Sequence, residues 1–316
     1  MNSRELVKAA IAHQTTERVA YCIDFTPDGE KALQGLIGPR SARGFADNDV
    51  IEVSPPWWGW HQLGPEWQTP GAPSRTAMVK GAGNYAAFFD AITMLRDNSA
   101  KYILVMIYGS HFEKAYYARG IENFLADMAG DPLFARKLLN RIIEKNLVML
   151  ENFLGAADID GVLLGSDWGS QRDLLMSPAT WEELIRPGEQ REYDLIHESG
   201  KDVWVHSCGD IRKVIPSLIE MGLDVLNPVQ PEAMDIAMLK RQYGDRLTFW
   251  GGISTQRTLP FGTAEEVKRE VREVRAMMSQ NGGYILAPAQ ELQGDVPAEN
   301  MMALIEAAKE GRLSAR

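Results

Sequence analysis

Cysteine is nearly absent from this sequence: Cys22 and Cys208 are the only two in 316 residues. A disulfide framework is therefore excluded as the source of stability, and a reducing, cytoplasmic setting is expected. Long hydrophobic runs are missing too. No stretch approaches the ~18 consecutive apolar residues that a membrane span needs. The opening MNSRELVKAAIAHQ is polar and amphipathic, without the apolar core of a signal peptide, so none is expected. Basic clusters are also lacking. Forty-three acidic residues face 33 basic ones, for a formal charge of −10, and no run of like charge stands out. That excludes the basic stripe through which a protein holds nucleic acid or an anionic membrane. Internal repeats and low-complexity tracts are absent.

What remains is an ordinary globular balance, 45% hydrophobic and 24% charged. Apolar runs recur at 19–25, 103–107, 161–165, 203–206, 225–229, 247–250 and 284–287, with Val50–Val53 as a further candidate. They are continuous rather than alternating, which predicts strands buried on both faces of a parallel sheet. Amphipathic segments lie between them. Asp131-Pro132 and Ser177-Pro178 each pair an N-cap with a proline in the first turn, predicting helices to about Leu154 and Ser199. A third helix is predicted over 211–221. Thr263 and Glu266 have capping-box spacing ahead of a helix over 264–279. Pro297 opens the last helix. Strand and helix alternation of this kind predicts a (β/α)8 TIM barrel in a single domain. The rival doubly wound sheet carries a glycine-rich phosphate loop after its first strand, and Thr26-Pro27-Asp28-Gly29 is not one. Residues 55–99 differ in kind: five prolines with Trp57, Trp58, Trp60, His61 and Trp67 predict a packed insertion over one barrel face.

Barrel active sites form at the C-terminal strand ends, so the residues after each apolar run carry the functional reading. They are Ser166-Asp167-Trp168-Gly169-Ser170-Gln171-Arg172, His206-Ser207-Cys208-Gly209, Asn227-Pro228-Val229-Gln230, Gly251-Gly252 and Ala287-Pro288-Ala289-Gln290-Glu291. Five polar or glycine-rich ends converging on one mouth make a pocket. His206 and Cys208 are two apart and project to the same face of a strand, so imidazole and thiolate can meet one ion. The alternative is a packed histidine and an inert thiol. Asp167 is a candidate acid–base or a partner orienting a histidine, with a helix cap or turn as its structural alternative. Arg172 suits a substrate carboxylate, or a surface acid. Glu113, after the 103–107 strand, is a weaker candidate of the same kind as Asp167. His111 and His61 read as loop or packing residues, and Gly251-Gly252 as a place of close backbone approach.

These motifs together, with Asp224–Gln230, Phe249–Ile253 and Asp295–Asn300, resemble the uroporphyrinogen decarboxylase superfamily, in particular its corrinoid-dependent methyltransferase branch. The resemblance covers about 103–307 and implies a (β/α)8 barrel. It further implies a zinc ion bound by a His-x-Cys pair and a later cysteine. The zinc activates a small methyl donor or acceptor, and the methyl passes to or from a corrinoid (cobalamin) cofactor on a partner protein. His206 and Cys208 match the first two ligands. Where the third cysteine is expected before an acidic residue this chain has Gln290-Glu291, so an oxygen of either is the ligand on offer. On the strand-end reading Asp167, Arg172 and Glu113 are the candidate catalytic residues, and Trp168, Gln171, Asn227, Gln230, Gly251 and Gly252 the candidate substrate contacts. The resemblance leaves room for a homodimer. The decarboxylases proper carry arginines after the first strand to hold a polyanionic tetrapyrrole, whereas here Asp24-Phe25-Thr26-Pro27-Asp28 would repel one. Two other functions stay open: a decarboxylase using Asp167 or Asp24, and a non-catalytic barrel that binds a ligand or corrinoid.

Overall fold

The computed structural model describes residues 1–55, 85–107, 109–155 and 157–310. The strands are β1 (Ala20–Tyr21), β2 (Val50–Val53), β3 (Tyr102–Ile107), β4 (Gly161–Gly165), β5 (Asp202–His206), β6 (Val225–Asn227), β7 (Thr248–Ile253) and β8 (Tyr284–Pro288). They belong to one sheet in the order β1-β8-β7-β6-β5-β4-β3-β2, with helices in between. This is the (β/α)8 TIM barrel that the alternating pattern predicts. Val50–Val53, the further candidate, is one of its strands. Among the described residues no helix is long and apolar enough to cross a membrane.

The chain divides into two compact units. The first comprises Met1–Ile51, Ala100–Tyr102 and Asp224–Arg316. In it β8 lies between β1 and β7, and β6 pairs with β7, all parallel. Asn48 and Asp49 join β1 to β2. The Asp49 N–H donates to the Tyr21 carbonyl at 3.0 Å, and the Asn48 amide exchanges two bonds with the Ile23 backbone. The fully buried Asp49 carboxylate accepts from both terminal nitrogens of Arg18, from Ser3 Oγ and from the Tyr21 N–H. Its carbonyl takes the Tyr102 N–H at 3.0 Å. One residue thus ties β1, β2 and the start of β3. The capping box of Thr263 and Glu266 forms as the spacing predicts, and the helix runs Ala264–Met278. That helix holds the last one through Arg272 and Arg275, both bonded to Glu310.

Those arginines hold the Glu310 carboxyl down to about 2, their hydrogen bonds being the chief cause. A carboxylate depressed in the folded state stabilises above its unfolded value and loses that contribution as pH falls towards the folded one. Glu310→Gln is therefore expected to lower Tm at pH 7 and to match wild type only below the folded value, at about pH 1.5. Differential scanning fluorimetry at the two pH values checks this; an equal deficit at both contradicts it. The pair is partly exposed, so the effect is small.

The second unit comprises Glu52–Ser99 and Ile103–Leu223. It holds β3, β4 and β5 in parallel register, with Ile107 beside Leu164 and Gly165 beside His206. Pro132–Leu154 is one helix with Asp131 capping Phe134 N–H, as the sequence implies. The helix predicted from Ser177-Pro178 is divided: Pro178–Thr180, a π-helical turn Trp181–Ile185, then Arg186–Glu198. The helix expected over 211–221 is shorter, Ile215–Glu220, because residues 211–214 form a turn before Pro216. Of the aromatic stretch read as an insertion, 85–98 is a helix, Tyr85–Asn98. Trp57, Trp58, Trp60, His61 and Trp67 lie outside the described residues.

Candidate active site

The register of β4 against β5 builds the site. Gly165 pairs with His206, and Ser166 N–H donates to the His206 carbonyl at 2.9 Å. Two residues further on, Asp167 comes beside Cys208, whose N–H donates to Asp167 Oδ1 at 2.7 Å. His206 Nε2 lies 3.3 Å from Cys208 Sγ and 3.8 Å from Asp167 Oδ1. A tetrahedral zinc with ordinary Zn–S and Zn–N bonds spaces its ligand atoms ~3.5 Å apart. One sulfur, one nitrogen and one carboxylate oxygen, all within 4.8 Å of one another, therefore fit a zinc ion with a coordination position left for substrate.

The electrostatics point the same way. Burial pushes the Cys208 thiol up to about 12, and the nearby charges of Asp167 and Glu113 add to the rise. Such surroundings disfavour a thiolate by itself and favour a cation. Glu113 is buried and accepts the Asp167 N–H on Oε1 at 3.2 Å. Burial first, then the Asp167 charge, pushes Glu113 up to about 7. Through the Asp167 N–H bond it is tied to the Asp167 loop.

Two glycines bring the loops together. A Cβ on Gly169 would sit 2.7 Å from the Cys208 carbonyl, and one on Gly209 would sit 2.5 Å from the Ser170 carbonyl. Gly209 also has φ +81°, which an L side chain rarely adopts. Asp210 N–H closes the contact on the Ser170 carbonyl at 2.7 Å. Gly209→Ala is expected to destabilise the fold by about 1–3 kcal/mol from strained φ alone. It should also weaken zinc binding by displacing Cys208. Unfolding midpoints and a competitive zinc titration measure both, and an unchanged zinc affinity contradicts the positioning role.

The other sequence-derived residues fall in different places. Trp168 is fully buried, edge-on to Trp181 at 5.4 Å, with its N–H bonded to Ser207 Oγ. In this structure it packs in the interior, held by its backbone N–H. Gln171 and Arg172 are exposed on the same loop as Asp167, where Ser170 Oγ accepts the Arg172 N–H. Asn227 and Gln230 are buried after β6, Asn227 Nδ2 donating to the Trp250 carbonyl at 3.1 Å. A Cβ on Gly251 would come within 1.8 Å of the Pro228 carbonyl oxygen, and Gly252 N–H donates to that oxygen at 3.1 Å. Gly251 is thus required by close backbone approach, and Gly252 by its φ of +92°. Gln290 and Glu291 are exposed after β8, and Glu291 lies 4.0 Å from Arg43. The carboxylate found beside His206 and Cys208 is Asp167, not Glu291. Asp24 pairs with Arg43 at 3.0 Å, so it is not a bare carboxylate awaiting a pyrrole.

The sequence reading missed a second buried group. His111, read as a packing residue, lies fully buried with Glu189 and Glu192. Its signal was present: Glu189 and Glu192 share the buried helix face of Tyr193 and Ile196, where apolar residues belong.

The uroporphyrinogen decarboxylase (URO-D) family model matches residues 70–311. The chain belongs to the uroporphyrinogen decarboxylase family. Within this family it is similar to a methylated-thiol--coenzyme M methyltransferase of Methanosarcina mazei, with 25% identity over 199 residues, 63% of this chain and 51% of that protein. It is also similar to the methylcobamide:CoM methyltransferase MtaA of Methanosarcina barkeri, with 30% identity over 138 residues, 43% of this chain and 38% of that protein. The match thus spans about half, or less, of these relatives' length. A solved structure described as a methyltransferase from Methanosarcina mazei superposes with a TM-score of 0.73 at 16% identity, covering 98% of this chain and 99% of that one. At that identity the likeness establishes the barrel alone. The URO-D match takes in all three residues of the sulfur–nitrogen–oxygen group, 167, 206 and 208.

Proposed function

We propose that this URO-D family member is a zinc-dependent methyltransferase that moves a methyl group between a small thiol or methylated substrate and a corrinoid carried by a partner protein. The observation that carries the reading is the convergence of Asp167, His206 and Cys208 at two adjacent strand ends. Relatives named for methyl transfer involving coenzyme M and methylcobamide support it. Zinc supplies Lewis acidity there, lowering the pKa of a substrate thiol or drawing electrons from a methylated heteroatom. Asp167 takes the third ligand position that the family resemblance assigns to a cysteine near Gln290. Its second task is orientation, since it also fixes the Cys208 backbone.

Glu113 keeps Asp167 in register through the Asp167 N–H. Arg172 and Gln171, exposed on the same loop, would engage an acidic tail of the substrate. Asn227 and Gln230 act through the backbone they hold after β6. The test is direct. Full-length protein loaded with zinc is incubated with free methylcobalamin and a panel of small thiols, and loss of methyl–cobalt absorbance is followed. Zinc-dependent loss that disappears after chelation and returns on zinc addition is the expected result. A well-folded, zinc-loaded protein that transfers no methyl to any thiol, and none from methylated thiols to reduced cobalamin, overturns the reading.

A further inference from the structure

The second buried group carries an inference independent of the methyl-transfer reading. His111 follows β3, Glu189 and Glu192 lie on the helix Arg186–Glu198, and Asn146 lies on the helix Pro132–Leu154. All four are fully buried. His111 Nδ1 is 3.1 Å from Glu189 Oε1 and 3.8 Å from Glu192 Oε2, and one atom from each residue lies within 4.8 Å of the others. Around a divalent ion with nitrogen and oxygen ligands at ~2.1 Å, tetrahedral spacing is ~3.4 Å.

We propose that His111, Glu189 and Glu192 form a second, sulfur-free site for a first-row divalent cation, buried beneath the helices of this unit. Three observations point to a ligand rather than to a closed ion network. First, Glu189 Oε2 has no hydrogen-bond donor at full burial, and Oε1 meets only the His111 nitrogen. A buried carboxylate left in that state is costly. Second, His111 Nε2 faces the Ile185 carbonyl at 3.2 Å. Donation there leaves Nδ1 facing two carboxylates, so a proton or a metal cation must stand between them. This is the arrangement by which a ligating histidine is oriented through its other nitrogen. Third, the Asn146 amide donates to Glu192 Oε1 at 2.9 Å while its own oxygen has no donor, and Ser110 Oγ donates to Glu192 Oε2.

Local backbone features serve the same arrangement. The π-helical turn Trp181–Ile185 ends at the carbonyl that His111 reaches. A Cβ on Gly188 would sit 3.0 Å from His111 Nε2, so glycine makes room for the ring. Lys114, the other buried cation of the neighbourhood, donates to the Ser110 carbonyl at 3.0 Å. Imidazole with two carboxylates suits zinc, iron or manganese, and lacks the soft ligand of the Cys208 site.

Cobalt(II) distinguishes the two sites, because thiolate ligation adds an intense near-ultraviolet charge-transfer band and oxygen–nitrogen ligation does not. Chelator-treated full chain is titrated with Co2+ under equilibrium dialysis. Wild type is expected to bind about two ions, Cys208→Ala about one without the thiolate band, and Glu189→Gln/Glu192→Gln about one with it. Cys208→Ala leaves the buried group untouched, so its stoichiometry is informative even if the double variant does not fold. A rise in its Tm on adding Co2+ is the accompanying expectation. No tight ion in folded Cys208→Ala overturns the proposal, as does undiminished stoichiometry in a folded double variant. Failure of methyl transfer with both ions present would count against the proposed function alone.

Discussion

Cys208→Ala is expected to weaken zinc binding by more than about 100-fold, beyond what loss of an outer hydrogen-bond partner costs. The thiol is the one soft donor among Asp167, His206 and Cys208, and a borderline-soft ion depends on it most. Methyl transfer should fall with zinc occupancy. His206→Ala should behave alike, because it removes the one nitrogen donor of the group. Asp167→Asn should lose less affinity, since an amide oxygen can still ligate while the Cys208 N–H keeps an acceptor. That ranking, Cys208 and His206 far above Asp167, is read by competition against a chromogenic chelator. Because burial and the Asp167 and Glu113 charges hold the thiol at about 12, zinc binding displaces its proton and should tighten as pH rises. Zinc affinity that is flat between pH 6 and 9, or unchanged in Cys208→Ala, removes the metal centre from the account.

Asp49→Ala is expected to cost about 3–5 kcal/mol, the range for removing one partner of a buried ion pair. Asp49 is fully buried and Arg18 is only 12% exposed, so the guanidinium would be left in the interior without its carboxylate. The loss also takes the acceptor from Tyr21 N–H, where β1 meets β2. Against a total stability of about 5–15 kcal/mol, this is a large fraction. Asp49→Asn keeps an acceptor for the Tyr21 N–H but not the charge, and should lie between. Urea unfolding measures both. A shift under about 1 kcal/mol for Asp49→Ala means that β1 and β2 are joined by other contacts.

Much of the fold was legible from local pattern. Continuous apolar runs marked the strands because both faces of a barrel strand are buried, and Asp131-Pro132 and Thr263–Glu266 marked helix starts because capping is a property of a few consecutive residues. The His206-x-Cys208 pair was legible for a similar reason: residues two apart on a strand share a face. The third member of the group was not. Asp167 and Cys208 are 41 residues apart, and only the pairing of Gly165 with His206 places them side by side. The burial of Trp168 was not legible either, because sequence proximity to a loop does not say which way a side chain turns.

By itself, then, the sequence determined the strand–helix alternation, the barrel class and two residues of the proposed metal group, since each follows from spacing along one element. Tertiary structure decided that Asp167 lies beside His206 and Cys208, that Gly169 and Gly209 let their loops approach, and that His111 meets Glu189 and Glu192. These are contacts between elements, and strand register and helix packing set them.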